Sequence, residues 1–213
     1  MAFEGWPAEA LEFYEGLAAD NSKSYWLANK DVYDACVLAP MRELLAELEP
    51  EHGESKIFRP YRDVRFSKDK SPYKTEIAAA FRDGYVRLSA EGLGAGRGMH
   101  GMAPDQLDRY RGAVADGVTG EALAKIVMTL REQDIAVQGF ESLKRVPQGY
   151  PADHPRAELL RQKGLYAWKQ WPVEPWLGTP DARTRVTGFL TAVEPLSDWL
   201  ERHIGPSAAA AGS

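Results

Sequence analysis

Apolar positions along the chain fall into three kinds of run. Ala10, Leu11, Tyr14, Leu17 and Ala18 recur at helical spacing behind Pro7, which predicts a first helix over 7–19. Asp20, Asn21 and Ser22 form a turn able to cap a second helix, carrying Tyr25, Trp26, Asn29, Val32, Tyr33, Cys36 and Val37. Pro40 is expected to interrupt that helix, and Pro50 to close a third one built on Met41, Leu44, Leu45 and Leu48. The pattern then shortens. Residues 57–59, 63–66, 75–81 and 85–89 read as strands, the last two joined by the hairpin signal Asp83-Gly84. A Gly-rich strand is expected over 93–99, and helices from Pro104 and over 121–131. Further on come a short strand at 135–137, a short helix from Pro155, a closing strand at 165–169 and a last helix after Pro180, bent or restarted at Pro195.

Strands cluster instead of alternating one by one with helices. The expected fold is therefore α+β, a largely antiparallel sheet packed with N-terminal and C-terminal helices. One globular domain over 1–205 is expected, followed by a disordered tail, PSAAAAGS, at 206–213.

Composition narrows the function classes. Of 213 residues, 44% are hydrophobic and 27% charged, so the chain has the apolar surface to fold. A net charge of −5 argues against a protein that coats polyanions with its whole surface. Cys36 is the single cysteine, which removes intrachain disulfides and Cys-rich zinc modules and fits a cytoplasmic setting. Residues 1–17 carry Glu4, Glu9, Glu12 and Glu15 and no basic residue, so no secretory signal is expected. No run approaches the roughly 20 apolar residues of a membrane span, and no membrane partner is expected.

The charge is uneven. Residues 1–55 hold 12 acidic and 3 basic side chains, whereas residues 56–74 hold 7 basic ones against Asp63 and Asp69 alone. On a strand over 63–66, Arg62, Val64 and Phe66 would share one face and Asp63 and Arg65 the other. Asp63 would then fix Arg65 or Arg59, leaving a rigid guanidinium fork suited to phosphate or carboxylate. The turn that follows adds the ammonium groups of Lys68 and Lys70 and the hydroxyls of Ser67 and Ser71. The candidate anion-binding set is Arg59, Arg62, Arg65, Ser67, Lys68 and Lys70. Asp63, Tyr73, Lys74 and His154 are the groups available for proton transfer. The competing reading is an Arg–Asp lattice that orients the chain.

Four stretches carry a family resemblance. RPYRDVRFSKDKSPYKT (59–75) resembles the signature of a bacterial and fungal family known as domain of unknown function 2461. LAADNSKSYWLANKDVY (17–33) is similar to that family's Asn-Asn, Trp-Phe, Lys, Tyr helix motif, with Asp20 in place of the first Asn and Tyr25-Trp26 in place of Trp-Phe. GRGMHGMAPDQLDRYR (96–111) is similar to its Gly-rich turn and helix. LKRVPQGYPADHP (143–155) is similar to its Lys-Arg-x-Pro-x-Gly-Tyr segment, with Gln148 where a basic residue is expected. The family has no established reaction, so the resemblance implies membership and no catalytic set.

Other motifs exclude more than they suggest. Gly96, Gly98 and Gly101 satisfy a dinucleotide-type spacing but lack a surrounding βαβ unit. Gly92, Gly94, Gly96 and Gly98 recur with period two, which favours an aromatic ring lying on a bare strand face. His52, His100, His154 and His203 have no second His or Cys at ligand spacing, and no cofactor or metal is expected. His154, just before Pro155, reads first as a helix-entry residue bonded to backbone. Three functions remain, in this order: an enzyme or binder acting on a phosphorylated or carboxylated small molecule, a single-stranded nucleic-acid module, and a scaffold for an acidic partner. Tyr61, Phe66 and Tyr73, interleaved with the cations, motivate the second.

Overall fold

A computed structural model describes residues 2–65, 68–82 and 84–208. The chain divides into two compact units, Met1–Ala95 with Gln170–Phe189, and Gly96–Lys169 with Leu190–Ser213.

In the first unit α1 (Ala8–Ala19) follows Pro7 and buries Ala10, Phe13, Tyr14 and Leu17 along one face. α2 (Lys23–Ala28) is capped by Ser22, whose hydroxyl accepts the Tyr25 N–H at 3.1 Å. α3 (Lys30–Val32), a π-helical stretch Tyr33–Leu38 and α4 (Ala39–His52) then follow without a break. The expected interruption at Pro40 does not occur. The Ala39 N–H reaches back to the Asp34 carbonyl in a widened turn, and Pro40 sits at the start of α4, where its missing N–H is harmless. Pro50 does not close α4 either; the helix runs two residues further, and Gly53, at φ +83°, ends it. Cys36, on the π-helical stretch, is half-buried, and its thiol is pushed up by burial, with Glu9 adding to the effect.

β1 (Ser55–Ile57), β2 (Glu76–Phe81) and β3 (Gly84–Ser89) pair antiparallel, with Ser55 opposite Phe81 and Glu76 opposite Ser89. Asp83, half of the hairpin signal, lies outside the described residues. β4 (Gly92–Met99) and, after the excursion through the second unit, β6 (Leu165–Trp171) belong in part to each unit. A 3-10 turn, Pro175–Gly178, leads to α8 (Asp181–His203), which continues through Pro195. The Glu47 carboxylate accepts the Phe3 N–H at 2.7 Å and pairs with Arg183, holding the N-terminal segment and the start of α8 to α4.

In the second unit α5 (Pro104–Ala115), α6 (Thr119–Glu132), β5 (Ala136–Gln138) and α7 (Ala157–Leu160) lie between β4 and β6 in the chain. The six strands order as β1-β2-β3-β4-β6-β5 in one antiparallel sheet, so the fold is α+β. Strand β6, expected to close the sheet, is an interior strand, and β5 pairs along its outer side. The Gly-rich strand meets an indole: a Cβ on Gly96 would approach the Trp168 ring to 3.0 Å. Pro206 to Ala208 are tied to α5. Arg109 donates to the Pro206 carbonyl at 2.8 Å, and Asp105 accepts from Ser207 and Ala208 at 2.8 and 3.0 Å. The rest of the expected tail, 209–213, lies outside the described residues.

Candidate functional site

The basic stretch is framed by an aromatic cluster. Trp26 stacks on Tyr73 at 4.5 Å with the planes 6° apart, and Tyr61 lies against both at 6.1 and 5.4 Å. Trp26 and Tyr73 are buried, while Tyr61 is 50% exposed. Asn21 holds Tyr73 from the other side. Its Nδ2 donates to the Tyr73 carbonyl at 3.1 Å, and its Oδ1 accepts the Tyr73 N–H at 3.0 Å. Tyr61 and Tyr73 also form an antiparallel bridge, with Arg62 N–H to Pro72 at 2.9 Å and Lys74 N–H to Pro60 at 2.8 Å. The described residues between them, 62–65 and 68–72, belong to no helix or strand and lie on the two arms of a loop.

The strand expected over 63–66 is not there in the described part, 63–65. Asp63 instead turns its carboxylate onto the Arg65 N–H at 3.2 Å and onto the Arg65 guanidinium at 2.9 and 2.6 Å. Such local side-chain bonding competes with ladder pairing, and the alternation of Arg62 and Val64 against Asp63 and Arg65 is lost with it. Phe66 and Ser67 lie outside the described residues.

The loop satisfies several of its own cations. Arg62 pairs with Asp69, whose Oδ1 also accepts the Ser71 N–H at 2.9 Å. Lys70 donates to the Val64 carbonyl at 2.9 Å. Bonds from Ser71, then from Arg62, hold the Asp69 carboxyl well below the usual range. The Asp63 carboxyl is held low by the Arg65 guanidinium first, then by its backbone N–H, with the charge of Arg59 contributing. Asp63 is thus an ionised clamp for Arg65. Lys74 places its ammonium 5.4 Å over the Phe58 ring. The Tyr73 hydroxyl is raised by burial, with Tyr61 adding.

Arg59 and Lys68 are different. Both are exposed, and neither has a hydrogen-bond or ion-pair partner among the described residues. Phe58, 37% exposed, and Tyr61 stand on either side of Arg59 in the chain. Arg62, Asp63, Arg65, Lys70, Tyr73 and Lys74 are thus gathered on one loop and its frame in the first unit. His154 belongs to the second unit, where its Nδ1 accepts the Arg156 N–H at 3.0 Å at the entry to α7. That is the backbone-bonded helix-entry role.

Asn21 was legible only as a turn residue, because its partner lies 52 positions away. Its amide, able to donate and accept at once, is the single signal for a backbone clamp. Among the described residues no three His, Cys, Asp or Glu side chains group as metal ligands, and no helix is long and apolar enough to cross a membrane.

Among solved structures, a conserved hypothetical protein from Pyrococcus furiosus, Pfu-178653-001, is similar at 12% identity and a TM-score of 0.38. The likeness covers 74% of this chain and 90% of that one. No curated protein matches. A family model described as "Conserved hypothetical protein (DUF2461)" matches residues 9–199, which include the frame, the basic loop and the segment leading to His154. The chain belongs to the DUF2461 family.

Proposed function

We propose that the protein binds an anionic small molecule, phosphorylated or carboxylated, at the face built on residues 56–74. The observation that carries this reading is the division of labour among the cations. Arg62, Arg65 and Lys70 are spent on the loop itself, while Arg59 and Lys68 keep their donors uncommitted in water. Internal pairing of Arg62, Arg65 and Lys70 lowers the ordering cost on the described arms of the loop, and a guanidinium offers a two-pronged donor to an oxyanion. Arg59 and Lys68 are the proposed anion ligands. Arg62, Asp63, Arg65 and Lys70 are positioning residues, and Tyr73 and Lys74 border the site. A cytoplasmic setting goes with this reading, since the lone Cys36 leaves no intrachain disulfide to form.

Thermal unfolding in a panel of phosphate monoesters and di- and tricarboxylates at matched ionic strength tests it. A ligand at about a hundredfold its Kd contributes roughly 2.7 kcal/mol, a shift of several degrees for a chain of this size. Arg59→Gln combined with Lys68→Gln should abolish that shift while leaving the unliganded midpoint in place. A shift undiminished in the double variant removes the reading.

A second reading rests on the exposure of Phe58 and Tyr61 around Arg59: stacking of a single-stranded nucleic acid. Fluorescence anisotropy with labelled oligothymidine distinguishes it. Binding that weakens steeply with salt, and is lost on Tyr61→Ala, supports it; no binding at low salt dismisses it.

A further inference from the structure

The second unit holds guanidinium groups whose state the loop above does not explain. Arg111 on α5 and Arg161 just after α7 are both half-buried. The Nε of each is shielded from solvent and has no hydrogen-bond partner, and neither side chain forms a hydrogen bond or ion pair among the described residues. A buried donor left unmet costs about 1–3 kcal/mol, so two such groups are a standing demand for an acceptor.

Both flank the same short helix. Tyr110, fully buried, donates its hydroxyl to the Leu159 carbonyl at 3.0 Å, which seats α5 on α7. Further along α5, the carbonyls of Val114 and Ala115 accept from Arg156, at the entry to α7, at 2.6 and 3.0 Å, so Arg111 lies on the stretch of α5 held against α7 from both sides. Arg161 directly follows α7, two residues beyond Leu159, and forms no ion pair among the described residues. Two more cations arrive by pairing. The Leu143 N–H donates to the Arg161 carbonyl at 2.8 Å, and Ser142 bridges Gln162. Lys144 and Arg145 leave this bridge, exposed and without partners among the described residues.

The neighbouring carboxylates are engaged elsewhere or face water. Glu158 is held by Arg131 at 2.5 Å and Glu141 by Lys163 at 2.7 Å. Asp108, one turn before Arg111, and Asp153 are exposed and pair with none of the four cations. By contrast, Arg156 gives its donors to the carbonyls of Val114, Ala115 and Asp116 at the end of α5, which is how a structural arginine is spent here.

We propose that Arg111, Arg161, Lys144 and Arg145, gathered around α7, form a site for a phosphate-type oxyanion. The two arginines supply shielded, fixed donors and the lysine–arginine pair draws the anion in. The site is independent of the loop in the first unit.

Titration of the full chain with inorganic phosphate, followed by the arginine Nε–Hε resonances and matched with chloride at equal ionic strength, tests the proposal. The Arg111 and Arg161 signals should shift with a saturating profile. Lys144→Ala with Arg145→Ala, two exposed changes that leave the core intact, should weaken the profile at least tenfold. Arg161→Gln should remove the Arg111 shift if the variant folds; if it does not fold, the exposed pair decides alone. Arg59→Gln with Lys68→Gln should leave these signals responding as before. Resonances that stay put up to tens of millimolar phosphate, or that respond equally in the Lys144/Arg145 variant, overturn the site.

Discussion

Asn21 shows how much of the basic loop rests on one amide. Its two bonds to Tyr73 close the gap between the α1–α2 turn and the returning arm of the loop. Asn21→Ala should destabilise the protein by about 1–3 kcal/mol, read from urea unfolding, because two partly buried backbone groups lose their partners together. Asn21→Asp should cost at least as much, since the carboxylate cannot donate to the Tyr73 carbonyl. Nothing near position 21 in the chain announces this. Ser22, the true helix cap, and Asn21 look equivalent in a local reading, and only the approach of a segment 52 positions away separates them. Asp63 is the opposite case. Its pairing with Arg65 is a two-residue matter, visible in the sequence, and the structure has it.

At the scale of elements, helix and strand periods were legible where burial on one face dictated them. α1, β2 and β4 lie within a residue or two of their expected limits. The misreadings have local physical causes. Residues 63–65 carry the alternation of a strand but have no ladder partner beyond the Tyr61–Tyr73 bridge. Pro40 and Pro50 read as stops, yet Pro40 falls at the start of α4 behind a widened turn, and Pro50 forfeits a single N–H bond in the last turn without ending the helix before Gly53. The Gly-rich strand makes the sharpest prediction at this scale. Gly98 sits at φ +129°, and an added Cβ would lie 2.7 Å from the Leu165 carbonyl, so backbone on β6 blocks it. Gly98→Ala should cost roughly 1–3 kcal/mol in chemical unfolding. Gly96→Ala should cost less, because its 3.0 Å neighbour is the edge of the Trp168 ring, which can shift.

Across the whole molecule, the −5 net charge conceals an acidic N-terminal stretch and a cationic island. Both units carry carboxylates held low by hydrogen bonds: Asp63 and Asp69 in the first, and Asp105, Asp116 and Glu158 in the second. Asp105 is lowered to about 2, by the Ala208 N–H first and then the Ser207 hydroxyl. A carboxyl whose folded value lies below its unfolded one stabilises the fold fully above the unfolded value, near 4. That contribution disappears as pH falls through the folded value. Stability should therefore be flat above about pH 5 and decline between about pH 4 and 2. Asp105→Asn should make the decline shallower in acid-titrated denaturant melts; an unchanged slope would show that its bonds to 207–208 contribute nothing.

By itself the sequence determined the α+β class, the family and the place where cations concentrate, because periodicity, composition and motif order are properties of neighbours along a chain. Only the tertiary structure decided which cations are spent and which remain open. Arg62 differs from Arg59, and Arg156 from Arg161, by the acceptor that folding happens to bring within reach. A guanidinium's availability is set by what lies within about three ångströms of its donors, and chain spacing does not encode that distance.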